Sequence, residues 1–461
     1  MRRPARPFWI RTRREFADLL RVAGPLILAQ IAQMSMSLVD TLMAGRLGQD
    51  ALAGIALGSV VFMMVSIVCM GVLFSVAPHV SQAHGAGDAP AAGRAARQGV
   101  WLALLLSLPA FALFQSAEPL LLALGQDAGT AHLAGGYLRW AAFGFPASML
   151  LTSLRGFLEG ISDTRPVMVV LLIGIALNVV ADNALMFGRW GFPQLGLIGT
   201  GVATAFVYSA MAAVAAAYVA LRYPAYRVLR GLRRPDPSML RALFRIGWPI
   251  GLTLGFEAGL FSFTALLMGL FGQAALAGHQ IAVQAASVTF MIPVGIAIAT
   301  GVRVGQAVGR EDPDGVRRAG LIGVATSAAF MFVTAAIFRF APGLVVSAFL
   351  DRGDPANADA VAHAVAFLGI AALFQVVDGI QVSASGALRG LRDTRAPMAI
   401  SLVSYWLVGM SVATVLAFPV GWEGEGLWAG LVAGLGLAAT LLLRRFLRLS
   451  ARAQRRPFAR A

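Results

Sequence analysis

The sequence predicts an all-α integral membrane protein, with twelve transmembrane helices in two six-helix bundles related by an internal pseudo-twofold along the membrane normal. Three observations carry that expectation. The composition is too apolar for a water-facing surface, twelve apolar runs are separated by connections of alternating charge character, and the two halves of the chain match each other.

Of the 461 residues, 58% are hydrophobic and only 13% are charged. A soluble domain carries about 25% charged residues and roughly 45–50% apolar ones. A soluble chain of this length would need a charged surface, so most of this surface faces lipid. The net charge of +15 comes from arginine alone, because no lysine occurs. In a soluble protein such a charge points to nucleic acid. Here the arginines sit in short clusters between apolar runs, a signal of membrane orientation rather than of a nucleic-acid partner. The single cysteine, Cys69, lies inside an apolar run, forms no intrachain disulfide and is expected to pack within a helix.

Arg2, Arg3, Arg6, Arg11, Arg13 and Arg14 precede the first apolar segment and define a cytoplasmic tail over 1–16. They resemble the basic end of a signal peptide. The following segment, Phe16 to Ala44, is longer than the roughly 7–15 apolar residues of such a peptide and lacks a small-residue cleavage site, so a retained first helix is expected.

Crossing the hydrocarbon core takes roughly 20 apolar residues. Runs of that order fall near 17–44, 51–80, 96–117, 132–157, 166–188, 196–221, 241–268, 274–304, 316–338, 358–387, 396–418 and 426–449. Lipid offers an open strand no hydrogen bonds, so each run is predicted helical. Every second connection is rich in arginine: the N-terminus, Arg94/Arg97, Arg155/Arg165, Arg222 to Arg245, Arg303 to Arg318, Arg389/Arg392/Arg395, and Arg444 to Arg456. The alternate connections are poor in arginine or acidic, with Glu118, Asp127, Asp351, Asp354, Glu423 and Glu425. The positive-inside rule then places both termini in the cytoplasm, which requires an even number of spans. The segment 222–240 carries Pro224, Pro235 and Pro237 and reads as a cytoplasmic linker. It divides an N-lobe over 17–221 from a C-lobe over 241–449, with a cytoplasmic tail over 450–461.

Setting Arg21 on Arg245 aligns the halves without gaps. Pro25 meets Pro249, Gly48-Gln49 meets Gly272-Gln273, Ala51 to Gly54 meets Ala275 to Gly278, Gly71 meets Gly295, and Arg94 meets Arg318. A second block sets Asp163-Thr164-Arg165 on Asp393-Thr394-Arg395 and Gly196-Leu197 on Gly426-Leu427. Repeats of six spans enter the membrane in the same direction, hence an axis along the membrane normal. Such an architecture suits a transporter that rocks about a central cavity, although architecture alone leaves a channel or a flippase open.

Ionisable residues inside spans are costly and are functional candidates by default. Asp40 follows Gln33 and Ser37 in one polar stripe of the first span. Asn178 and Asp182 share a face of the fifth span. With Asp40 and Thr200 they can line an oxygen-rich pocket for Na+, or a carboxylate pair that holds a proton. The competing reading makes Asp40 and Asp182 interfacial caps. In the second half, Glu257 lies between Gly255 and Gly259, Gln280, Gln284 and Ser287 follow one helical face, and Asp378 has Gln375 and Gln381 three residues to either side. This set forms a second candidate site for Na+ or H+, with interhelical hydrogen bonding as its bland alternative. Met34 and Met291, with neighbouring methionines, are candidates for an adaptable cavity wall, though such residues often face lipid or pack between helices. The five histidines show no metal-ligand spacing, and no nucleophile elbow, P-loop or dinucleotide fingerprint occurs in a fitting context. No enzyme and no cofactor is expected, and energy would come from an ion gradient.

Several stretches resemble the multidrug and toxic compound extrusion (MATE) family, in its NorM-type branch: GPLILAQIAQMSMSLVDTLMAGRLG (24–48), LRGFLEGISDTRPVM (154–168), FEAGLFSFTALLMGLFG (256–272), GHQIAVQAASVTFMIPVGI (278–296), VRVGQAVG (302–309) and VVDGIQVSASGALRGLRDT (376–394). The resemblance implies two lobes of six helices in the inner cell membrane and outward extrusion of organic, mostly cationic, compounds in exchange for Na+ or H+. It implies that Asp40 is the acid of the first helix, that Asn178, Asp182 and Thr200 fall at N-lobe cation ligands, and that Glu257 and Asp378 are the C-lobe acids. Phe374, one turn before Asp378, departs from the pattern, since related sequences can carry tyrosine there. A monomer working in membrane lipid is expected. The principal alternative is a flippase for a lipid-linked precursor, which would favour an arginine-lined cavity to hold pyrophosphate. The acidic character of the charges within the spans argues against it.

Overall fold

In a computed structural model of the chain, residues 8–230, 232 and 234–455 are described. Arg2, Arg3, Arg6 and Arg456, with parts of the expected tails and linker, lie outside them. Twelve described helices are long and apolar enough to cross a membrane. They are α1 (Phe8–Gly45), α2 (Gln49–Gly85), α3 (Ala89–Gln115), α4 (Ala128–Gly160), α5 (Arg165–Leu185) and α6 (Leu197–Arg222). The second half gives α7 (Pro237–Phe271), α8 (Gln273–Gly309), α9 (Pro313–Phe340), α10 (Pro355–Gly390), α11 (Arg395–Ala417) and α12 (Glu423–Arg455). No strand occurs among the described residues. Each expected apolar run has its helix, and most helices extend beyond it. In particular, α1 begins within the stretch expected as a tail.

Helix starts follow local chemistry. Asp88 accepts the Ala91 amide at 2.8 Å and Asp312 accepts the Gly315 amide at 2.9 Å, each ahead of a proline in the first turn. Side-chain acceptors satisfy the orphan amides of a helix start, and proline there gives up no bond. The two caps are repeat equivalents, as are the prolines inside α1 and α7, Pro25 and Pro249.

The chain divides into two compact units, but these are not simply its two halves. One comprises residues 28–251, the other 1–27 together with 252–461. The boundaries fall at Ile27/Leu28 and Gly251/Leu252, equivalent positions of the repeat just after Pro25 and Pro249. A proline inside a helix removes one hydrogen bond and pushes on the preceding turn, so each helix can change partners there.

In the unit of residues 28–251, the start of α7 lies against α2. A Cβ on Gly247 would stand 2.2 Å from the Val72 carbonyl oxygen, and one on Gly71 would stand 2.3 Å from the Gly251 Cα. The linker packs on the same unit. Arg97 donates to the Arg227 carbonyl at 2.9 Å, the Trp101 indole donates to Leu232 O at 2.7 Å, and His84 bonds the Tyr226 hydroxyl at 2.9 Å.

In the other unit, the start of α1 lies against α8. Leu19, Val22, Ala23 and Leu26 bury against Ile296 and Ala299, and a Cβ on Gly295 would stand 2.6 Å from the Ile27 side chain. Gly71 and Gly295, matched in sequence, thus mark the two places where an incoming helix needs a bare backbone. An ion pair also holds α1: Arg303 donates to both Glu15 oxygens, at 2.8 and 2.9 Å, and to Asp18 at 3.2 Å.

Candidate functional site

The unit of residues 28–251 encloses a cavity of 440 Å³ between α1, α2, α4, α5 and α6. Its wall is mostly apolar, with Met36, Phe62, Met63, Met70 and Met149 among the lining residues. Methionine adapts its shape to different contacts.

One end of the cavity is acidic. Asp40 opens into it from α1, and Asn178 on α5 donates to the Asp40 carboxylate at 2.9 Å. One turn further along α5, Asp182 is fully buried, with its carboxyl within hydrogen-bonding reach of Asp40. Two neighbouring buried carboxylates repel each other, and a shared proton or a cation between them relieves that repulsion. The buried oxygens Asn178 Oδ1, both Asp182 oxygens, Thr200 Oγ1 and Thr204 Oγ1 have no protein donor. Oxygen atoms of this kind are the donors that Na+ takes, and the carboxyls among them can equally hold a proton.

The other end is basic but internally neutralised. Arg155, near the end of α4, pairs with Glu159 one turn on at 2.6 Å, and its terminal nitrogens donate to Gln33 at 3.2 Å and to Gln30 at 2.5 Å. Gln33 and Asp40 are seven residues apart on α1, so the two ends stand about 10 Å apart along that helix. The sequence reads Arg155 as a charge marking a cytoplasmic connection. In the structure its side chain turns into the unit and is 10% exposed. The spacing of Arg155 and Glu159, four residues apart in an apolar segment, is the signal that could have identified the pair. Tyr137 and Tyr208 also line the cavity. Neither stands out in the sequence, since an aromatic in a span usually packs or faces lipid.

Of the expected cavity residues, Gln33 and Ser37 line this space. Met36 does as well, whereas Met34 lies outside it. Thr200 is fully buried beneath the wall rather than at its surface.

The second acidic set lies in the other unit. Glu257 is half-buried on α7, Asp378 is buried on α10, and the two are within electrostatic reach of each other and of Tyr405 on α11. Gln381 donates to the Tyr405 hydroxyl at 2.7 Å. Gln375 donates to Thr289 at 2.5 Å and to Thr334 at 3.4 Å. Both glutamines are buried and occupied in bonds between helices instead of lining open space. Their carbonyl oxygens and Asp378 Oδ1 have no protein donor, again an oxygen-rich set. Gln280 and Gln284 sit on an exposed face of α8, and Ser287 and Met291 are half-buried there.

Phe374 packs edge-on against Phe261 and Trp428. A phenol near Asp378 is that of Tyr405, within a π-helical turn, Val403–Gly409. A π turn re-aims the side chains that follow and recurs at functional sites. The two acid sets are not repeat equivalents. Position 264, which matches Asp40, is Thr264, and position 33, which matches Glu257, is Gln33. Among the described residues no cluster of three or more His, Cys, Asp or Glu side chains can hold a metal. The carboxylates come in pairs.

The sequence pattern of the MatE family matches residues 25–182 and 249–415, one segment in each repeat. The chain is 43% identical over 427 residues to a probable multidrug resistance protein NorM of Pseudomonas aeruginosa, covering 92% of this chain and 88% of the relative. It is 45% identical over 438 residues to a probable multidrug resistance protein NorM of Deinococcus radiodurans, covering 95% and 96%. Among solved structures it resembles a eukaryotic MATE transporter, with a TM-score of 0.83 at 22% identity over 96% of this chain and 99% of that one. An outward-facing multidrug resistance MATE transporter gives 0.85 at 20% identity, over 95% and 96%. At these identities the structural likeness speaks for the fold alone.

Proposed function

The chain belongs to the MatE family, and from that premise we propose that it is a multidrug efflux antiporter, exporting organic, mostly cationic, compounds in exchange for Na+ or H+. Members of the family are transporters, so the chain is a transporter and not an enzyme. The observation that supports the finer reading is the Asp40–Asn178–Asp182 set, an acidic group at one end of a mostly apolar cavity whose basic side chain, Arg155, is already paired with Glu159.

The physical logic is competition for one charge. An organic cation in the cavity neutralises the acid pair through Asp40, the member that faces the space. A proton or Na+ arriving between Asp40 and Asp182 removes that attraction. Each ligand shifts the conformational balance only by its difference in affinity between the two states. If the ion favours the outward-open state and the drug the inward-open one, downhill ion entry drives drug out. The greasy, methionine-rich wall supplies contact with little selectivity. The Glu257–Asp378–Tyr405 set offers a second place where an ion can bias the same equilibrium. Arginine placement supports a cell inner membrane location with both termini in the cytoplasm.

The test is drug movement in proteoliposomes under an imposed Na+ gradient and, separately, an imposed pH gradient. Export of a fluorescent organic cation should be driven by at least one. Folded protein that moves none of it under either gradient would remove the antiport reading.

A further inference from the structure

We infer that the chain carries a binding site for an anionic phospholipid in the seam between α1 and α9, on the unit formed by residues 1–27 and 252–461. The seam holds an open groove of 590 Å³ lined by Thr12, Arg13, Phe16, Ile322, Ala325, Thr326 and Ala329. On α9, positions 322, 325, 326 and 329 fall on one helical face. Two of them are exposed alanines, and Thr326 returns its hydroxyl to the Ile322 carbonyl at 2.7 Å, which leaves an apolar surface. Small residues between bulkier neighbours make a channel, and Phe16, 43% exposed, forms its α1 wall.

The groove has a direction. Both helices are odd-numbered spans and run the same way, so Thr12 and Arg13 lie toward the same end as the start of α9. Arg13 is exposed, and among the described residues no acid pairs with it. Its nearest acids in sequence, Glu15 and Asp18, are committed to Arg303. Arg318 stands one turn before Ile322 on the same face of α9. Among the described residues its one carboxylate contact is Asp312, at 4.0 Å, and its Nε is buried without a hydrogen-bond partner. An apolar channel lined at one end by the exposed Arg13, with Arg318 one turn beyond its lining on α9, matches one ligand chemistry: an acyl chain joined to a phosphate. Basic pockets between transmembrane helices are suited to such headgroups, and arginine pairs with phosphate through two parallel hydrogen bonds.

The site bears on the part of α1 that changes partners. Residues 8–27 are held by the Arg303 ion pair and by the seam of Leu19, Val22, Ala23 and Leu26, which Ile322 also joins. A lipid filling the groove adds contact on the remaining side of that segment. It would therefore favour the arrangement in which the start of α1 is docked.

Native mass spectrometry of the whole chain, with phosphatidylglycerol and phosphatidylcholine of identical acyl chains, tests the proposal. The expected result is one retained phosphatidylglycerol, preferred over phosphatidylcholine by at least roughly fivefold, the factor that one arginine near the membrane surface supplies. Arg13→Gln should erase the preference while leaving weak retention of both lipids. Ala325→Trp, on an exposed face where folding is not at stake, should block retention of both. Val214→Trp, exposed on α6, should change nothing. Equal retention of the two lipids by the unaltered chain, or undiminished phosphatidylglycerol binding by Ala325→Trp, would overturn the site.

Discussion

Asp40 and Asp182 belong to one acid pair, yet they should respond differently to the same change. Asp40 lines the cavity, whereas Asp182 is fully buried behind it. A cationic guest at about 4 Å from the Asp40 carboxylate gains about 4 kcal/mol at an effective dielectric near 20. Asp40→Asn removes that term, so the affinity for an organic cation should fall by about three decades, and efflux should stop. Asp182→Asn leaves Asp40 charged and in contact with the cavity. Cation affinity should then stay within about threefold of the parent, a change of roughly 0.6 kcal/mol. Coupling should nevertheless be lost, because the second carboxylate no longer helps to hold the ion. The assay is cation binding by fluorescence polarisation on purified protein, beside efflux in proteoliposomes with a gradient of each ion. Binding by Asp40→Asn within tenfold of the parent would refute the placement of the guest at that carboxylate. Full gradient-driven efflux by Asp182→Asn would refute the shared-ion reasoning.

Other expectations follow from buried partners. Arg155→Met strands Glu159, whose side chain is 7% exposed, and should cost about 3–5 kcal/mol. Combining it with Glu159→Leu should restore most of the thermal stability, and a double variant no more stable than Arg155→Met alone would contradict the pairing. Gly247→Ala pushes a methyl to 2.2 Å from the Val72 carbonyl oxygen and should destabilise by about 1–3 kcal/mol, read as a lowered melting temperature. Gly255→Ala, where a Cβ meets nothing within 4 Å, is the matched control. Tyr405→Phe removes the acceptor of the Gln381 amide and should cost about 1–3 kcal/mol. If the second acid set binds Na+, this variant also weakens the Na+ dependence of efflux while leaving a pH-driven component. An unchanged Na+ dependence would exclude the phenol from that set.

Much of the fold was legible in the chain because its causes are local. A run of some twenty apolar residues can satisfy its backbone in lipid only as a helix, so the spans could be read one at a time. The acids could be found the same way, since a charge inside such a run stands out against its neighbours. Asp40 and its stripe partner Gln33 reach one cavity because seven residues of helix keep a single face. Asn178 and Asp182 meet Asp40 as their four-residue spacing allowed.

The sequence by itself determined the number of helices, the twofold repeat and which residues carry charge at depth, since each depends on hydropathy and spacing along a short stretch. Only the tertiary structure decided where those charges point and what they meet. Arg155 turns inward to Gln30, 125 residues away in sequence, because a buried guanidinium has more N–H donors than its partner Glu159 takes up and finds the remaining acceptors wherever packing brings them. Tyr405, within a π-helical turn of α11, meets Gln381 of α10 across 24 residues of sequence, a partner chosen by packing. The starts of α1 and α7 leave their own repeats at Pro25 and Pro249 because a glycine in the other repeat leaves room for them. Such partners are chosen by shape and unsatisfied polarity across long separations, and no window of sequence contains both sides of the choice.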